Sequence, residues 1–142
     1  MERRDFIKSG CGFCAGLVSV NMLGALLEGC SPAEMIYDTS ISEFKISVPV
    51  EKLDSKKYLI VRPRGLEYDL LLVKENEETY HALAMQCTHR QQPLVVTSTG
   101  LFCNEHGSRF DLQGNVTRDP ATQPLRKFKT ELSGQQVIIS MR

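Results

Sequence analysis

Cys87-Thr88-His89 and Cys103-Asn104-Glu105-His106 put one thiol and one imidazole into each of two tight pairs. The first pair follows the strand-like run TYHALAMQ, Thr79 to Gln86. The second follows the short apolar piece Gly100-Leu101-Phe102. Each pair therefore stands where a strand gives way to a loop. Two such loops can face each other and place four ligands around one site. Two thiolates and two imidazoles suit a tetrahedral zinc or an iron–sulfur centre. Zinc-finger spacing usually groups Cys with Cys and His with His. Here each loop carries one of each. A [2Fe-2S] centre with mixed ligands requires that arrangement, because one iron takes both thiolates and the other both imidazoles. A disulfide between Cys87 and Cys103 is the plain alternative, and it leaves both histidines unexplained.

The rest of the chain reads as short strands. FKISVPV (Phe44 to Val50), KYLIVR (Lys57 to Arg62) and DLLLVK (Asp69 to Lys74) are apolar or alternating runs. Pro63-Arg64-Gly65 is a turn signal, and KENEET makes a charged hairpin turn. RKFKTEL (Arg126 to Leu132) and QQVIIS (Gln135 to Ser140) flank a Ser133-Gly134 turn. No segment beyond residue 30 carries a convincing helical period. The pattern predicts an all-β domain, a sandwich or a small barrel.

Residues around the ligand pairs carry a family resemblance. His89 is followed after three residues by Pro93-Leu94, and His106 by Gly107-Ser108-Arg109-Phe110-Asp111. Downstream stands Asp119-Pro120-Ala121-Thr122-Gln123-Pro124-Leu125. All three resemble Rieske [2Fe-2S] proteins: two ligand loops and a proline loop that covers the cluster. The resemblance spans roughly Phe44 to the C-terminus. It implies stacked antiparallel sheets with the cluster-binding loops as a small subdomain at one tip. It also implies one [2Fe-2S] cluster per chain, with Cys87 and Cys103 on the buried iron and His89 and His106 on the exposed one. His81 lies outside these motifs and reads as a structural histidine.

Two departures from the family matter. Respiratory-complex members carry an extra Cys in each loop, and the two form a disulfide. Here those positions are Gln91 or Gln92 and Glu105. Phe110 occupies a site where high-potential members often have a Tyr that bonds a cysteine sulfur. Ser108, which in such members bonds a bridging sulfide, is retained. Hydrogen bonds to sulfur raise the potential. One donor kept and one missing implies an intermediate potential.

The chain opens MERRDFIKSGCGFCAGLVSVNMLGALLEGC. Arg3 and Arg4, followed by Phe6, Ile7 and Lys8, resemble a twin-arginine export signal. Ser9 to Leu27 is uncharged and apolar, as a signal core is. Leu27-Glu28-Gly29-Cys30 resembles a lipobox, with Cys30 lipidated after cleavage, although Glu28 departs from the usual pattern. An uncleaved anchor is the rival reading. Cys11 and Cys14 read as small apolar residues of this segment. The expected organisation is a signal or anchor over 1–29, a linker over 30–43 and a Rieske domain over 44–142. It places a bacterial domain on the extracytoplasmic side, tethered to the membrane.

Lys plus Arg equals Asp plus Glu at 17 each, so no basic excess marks a nucleic-acid partner. With 142 residues there is no room for a catalytic domain beside this one. No flavin or nicotinamide fingerprint is present either. The expected role is one-electron transfer, not catalysis of a substrate reaction. The first expectation for a partner is a cytochrome, quinol-oxidising or molybdenum subunit of a membrane or periplasmic oxidoreductase. The alternatives are a ferredoxin feeding a ring-hydroxylating oxygenase, and a zinc-binding module without a redox role.

Overall fold

The computed structural model describes residues 35–142, and these form three β-sheets. Strands β1 (Ile36–Ser40), β3 (Tyr58–Arg64), β4 (Leu70–Lys74), β5 (Tyr80–Ala84) and β10 (Lys127–Phe128) make a five-stranded sheet in the order β1-β3-β4-β5-β10. A three-stranded sheet, β11-β12-β2, joins Thr130–Ser133, Gln136–Ser140 and Lys45–Pro49. A four-stranded sheet, β6-β7-β8-β9, joins Val95–Thr97, Gly100–Phe102, Arg109–Phe110 and Val116–Arg118. One 3-10 turn, Val50–Leu53, interrupts the strands. The all-β architecture expected from the short apolar runs is present.

Strand β4 explains its own sequence. Leu70, Leu71, Leu72 and Val73 are all buried. Successive side chains on a strand point to opposite faces. Leu70 and Leu72 join a core with Ile46, Val48, Val61 and Ile139, between the five- and three-stranded sheets. Leu71 and Val73 join a second core with Cys87, Cys103, Phe110 and Leu125, on the side of the ligand loops. The same division runs along β5, where Ala82 and Ala84 face the first core and Leu83 faces the second. A strand covered on both faces reads as a continuous apolar run, and this one does.

Several local expectations are corrected. The segment read as a linker, 30–43, contains β1. Ile36–Ser40 alternates exposed and half-buried residues and pairs with β3 in parallel, Ile36 opposite Ile60 and Ser40 opposite Arg64. Tyr37 and Ile41 pack against the first core, which is why this polar-looking stretch is ordered. The sheets are therefore not antiparallel throughout. Pro63-Arg64 belongs to β3, and the turn falls at Gly65, whose φ of 88° suits glycine. Proline fits there because the β3–β4 pairing ends at Val61, so Pro63 meets a partner strand on one side alone. RKFKTEL is two strands: β10 pairs with β5, and after Lys129 the chain crosses to the other sheet as β11.

Among the described residues no helix is long and apolar enough to cross a membrane. The expected export motif at Arg3 and Arg4, Cys11, Cys14 and the expected lipidation site at Cys30 lie outside the described residues.

Candidate metal centre

The two ligand loops have one backbone design. In the first, the Cys87 carbonyl accepts from Gln91 N at 2.7 Å, and Cys87 N donates to the Gln92 carbonyl at 2.8 Å. In the second, the Cys103 carbonyl accepts from Gly107 N at 2.9 Å, and Cys103 N donates to the Ser108 carbonyl at 2.9 Å. Each turn thus closes four residues after its cysteine. The closing residue has positive φ in both, 55° at Gln91 and 81° at Gly107. Glycine takes that conformation without cost, and glutamine does not. Gly107 suits its turn by residue type; its twin at Gln91 carries no such signal in the sequence.

This design buries the sulfurs and turns the imidazoles outward. Cys87 and Cys103 are buried in the second core, and neither forms a disulfide. His89 is half-buried and His106 exposed. Their rings meet edge to face, with centroids 4.9 Å apart and planes at 85°.

A third segment closes over both loops. Thr88 Oγ1 donates to the Gln123 carbonyl at 2.7 Å, and Ser108 Oγ accepts from Ala121 N at 3.0 Å. Leu125 N donates to the Gly114 carbonyl at 2.8 Å, fixing the far end. The Asp119–Pro120 peptide within it is cis. Ser108 is the one fully buried polar residue of the described chain. Since a hydroxyl accepts and donates at once, the bond from Ala121 N leaves the Ser108 proton free to donate.

The donor set fits a two-iron cluster. His89 Nδ1 is buried and has no hydrogen-bond partner. A buried ring nitrogen without a partner is costly, and ligation would satisfy it. Among the described residues, no three His, Cys, Asp or Glu side chains converge as a single metal ion would need. A [2Fe-2S] centre asks each iron to take only two protein ligands. Residues 46–129 match the family model of the Rieske [2Fe-2S] domain.

The chain belongs to the Rieske [2Fe-2S] family. It carries a one-electron redox domain, and it binds one [2Fe-2S] cluster. The cytochrome b6-f complex iron-sulfur subunit of Chlorobaculum thiosulfatiphilum is 25% identical over 142 residues, covering 98% of this chain and 75% of that protein. The ferredoxin component of the alkene monooxygenase system of Xanthobacter autotrophicus is 34% identical over 77 residues, covering 51% of this chain and 62% of that protein. This chain thus spans less than two thirds of the ferredoxin component. Among solved structures, the cyanobacterial plasma membrane Rieske protein from Synechocystis superposes with a TM-score of 0.55 at 22% identity, covering 65% of this chain and 94% of that one. That likeness shows the Rieske fold.

The remaining candidates fall on either side of the Rieske site. Phe110 is buried in the same core as both cysteines. His81 stands apart from it: Nε2 lies 2.7 Å from the Leu112 carbonyl. Its Nδ1 lies 2.8 Å from Glu75 Oε1, off the line of a hydrogen bond. His81 therefore holds the β4–β5 hairpin to the loop after β8. Asp111 organises that loop. Its carboxylate accepts from Gln113 N, Asn115 N and Asn115 Nδ2 at 2.8–2.9 Å. The Thr88–Gln123 contact had no sequence signal, because the partner is a backbone carbonyl that any residue supplies.

Proposed function

We propose that Cys87 and Cys103 hold the inner iron and His89 and His106 the outer one, in a ferredoxin-type carrier that passes electrons to an oxygenase-class partner. One observation carries the ligand assignment. Two equivalent turns bury their thiols in one core and bring their imidazoles edge to face at 4.9 Å. When bound, the cluster supplies a one-electron couple. The protein does the rest. The apolar core around Cys87 and Cys103 excludes water from the sulfurs, buried Ser108 keeps a hydroxyl proton free to donate, and the exposed edge of His106 shortens the path to a partner.

Two points favour the ferredoxin reading over the quinol-oxidising subunit expected first. Cys87 and Cys103 are the only free cysteines of the described chain, so neither loop carries the extra pair of the respiratory type. A 77-residue stretch of the chain is also 34% identical to the alkene monooxygenase ferredoxin. The quinol-oxidising reading stands second on one observation: likeness to the Chlorobaculum subunit runs along 98% of the chain, N-terminal segment included. Export through Arg3 and Arg4 and lipidation at Cys30 belong with that second reading, since a cytoplasmic oxygenase would need neither.

Fractionating cells that express the full chain separates the two. A coloured protein in the cytosol that reduces an oxygenase component supports the first reading. A coloured, acylated protein in the membrane that reduces a cytochrome instead overturns it. The ligand assignment is tested alongside. Cys87→Ser should abolish the visible and reduced-state electron spin signals, and a retained spectrum would sink the assignment.

A further inference from the structure

The outer face of the four-stranded sheet carries an arrangement that the cluster does not explain. Val95 lies opposite Phe102, Phe102 opposite Arg109, and Arg109 opposite Arg118. Residues directly opposed in antiparallel strands share a face. The row is open to solvent: Val95 is 46% exposed, Phe102 half-buried, and both arginines exposed. The Arg109 guanidinium sits 5.4 Å from the Phe102 ring centroid. Beside this row Thr97, Thr99 and Thr117 edge a depression of about 390 Å³.

Like charges opposed across strands destabilise a sheet. Among the described residues, neither Arg109 nor Arg118 has a carboxylate within ion-pair distance. The described residues therefore hold two cations together with no carboxylate beside them, the Phe102 ring offsetting part of the cost at Arg109. Arg90, directly after His89, adds a third exposed cation. Between Cys87 and Phe128 the exposed acids are Glu105 and Asp119 alone, and the Asp111 carboxylate is taken up by its own loop. The row includes the residue just before Cys103 and the residue three beyond His106. An apolar strip edged by unpaired cations, adjoining the exposed imidazole, has the composition of a transient interface.

We propose that the row Val95, Phe102, Arg109 and Arg118 is the docking face for an acidic patch on the protein redox partner. This rests on the reading of His89 and His106 as cluster ligands, and it adds the partner's chemistry: carboxylates around its electron entry or exit point. Complementary charge speeds encounter and selects the orientation in which the imidazole edge leads.

The full cluster-bearing chain tests this on gold electrodes coated with a carboxylate-terminated monolayer, the probe for an acidic surface. Three variants are compared: Arg109→Gln/Arg118→Gln, the charge-keeping Arg109→Lys/Arg118→Lys, and Lys52→Gln/Lys57→Gln, which removes equal charge elsewhere. The Gln pair should slow electron exchange by roughly tenfold or more at low salt. The Lys pair and the Lys52/Lys57 variant should stay near wild type. The difference should vanish in ~1 M salt, where charges are screened within ~3 Å. Equal slowing by both Gln variants would overturn the proposal, because net charge would then suffice. So would an unchanged rate in Arg109→Gln/Arg118→Gln with its visible spectrum intact. If the arginine pair instead governs binding to phosphatidylglycerol vesicles and leaves the electrode rate alone, the face is a membrane contact and the proposal falls. A wild-type chain without an iron–sulfur spectrum would overturn the ligand assignment, and this inference with it.

Discussion

The buried Ser108 hydroxyl accepts a hydrogen bond from the Ala121 amide at 3.0 Å, joining the second ligand loop to the segment that covers it. Both halves of that contact have measurable consequences. Ser108→Ala strands the Ala121 N–H in a buried place, at a cost of about 1–3 kcal/mol. It also removes the hydroxyl proton that Ser108 has free to donate, which matters to the potential where its acceptor is a cluster sulfur. A donor to sulfur is worth more after reduction, and a difference of ~1 kcal/mol is ~40 mV for a one-electron couple. Ser108→Ala should thus lower both the melting temperature and the potential. A loss of stability with the potential unmoved would make Ser108 a latch only.

Phe110→Tyr is expected to move the potential the other way. Phe110 shares a core with Cys87 and Cys103, so a hydroxyl added to its ring enters the neighbourhood of the sulfurs. A bond to one of them should raise the potential by roughly 40 mV on the same arithmetic. Film voltammetry of this variant beside Ser108→Ala decides the matter, since shifts of the same sign in both would refute the sulfur-donor account.

Gly100 and Gly107 should respond differently to alanine. A Cβ on Gly100 would stand 2.0 Å from the Phe110 carbonyl oxygen and 3.0 Å from Asp111 Cα, both backbone atoms. No side-chain rotation relieves that clash, so Gly100→Ala should cost about 3 kcal/mol or more, at the upper end for overpacking. A Cβ on Gly107 would meet nothing within 4 Å, and only the φ of 81° resists it. Gly107→Ala should cost about 1–2 kcal/mol, the left-handed backbone penalty. Urea midpoints of the two variants give the comparison.

Asp111 should make stability depend on acidity. Burial pushes its carboxyl up, but the Asn115 side-chain amide, the Asn115 and Gln113 amides and the Lys127 charge outweigh that and hold it below the usual range. With the folded value depressed, the unfolded chain takes up the proton first as pH falls. The stabilisation is therefore complete above the ordinary value, about pH 4, and is lost as pH drops toward the folded value. Denaturation midpoints measured from about pH 5 down to about pH 2.5 should fall more steeply for wild type than for Asp111→Asn.

The two Cys–His pairs stood out in the sequence because soft donors at strand ends have few other uses. Strands β2, β3, β4, β5 and β12 were legible because each meets at least one packed core, which leaves an apolar or alternating record. What the sequence hid has physical causes too. Ile36–Ser40 lies at a sheet edge with no fully buried residue, so its composition resembles a linker. Arg126 to Leu132 changes sheets within one uninterrupted run, and crossing between sheets needs no glycine or proline. The four-stranded sheet is built from strands of two or three residues, too short to establish a period. Gln91 conceals a left-handed turn because the hydrogen bonds of Cys87 hold it there, overriding the preference of the residue itself.

Strands β4 and β5 give Leu70, Leu72 and Ala82 to one core and Leu71, Val73 and Leu83 to the other. The loop side therefore packs directly on the strands that also line the other core. Moving one against the other would uncover Leu71, Val73 and Leu83. That packing resists bending between the two cores within residues 35–142. Any travel between donor and acceptor has to be made by this body as a whole, tumbling free or swinging on whatever holds its N-terminal side.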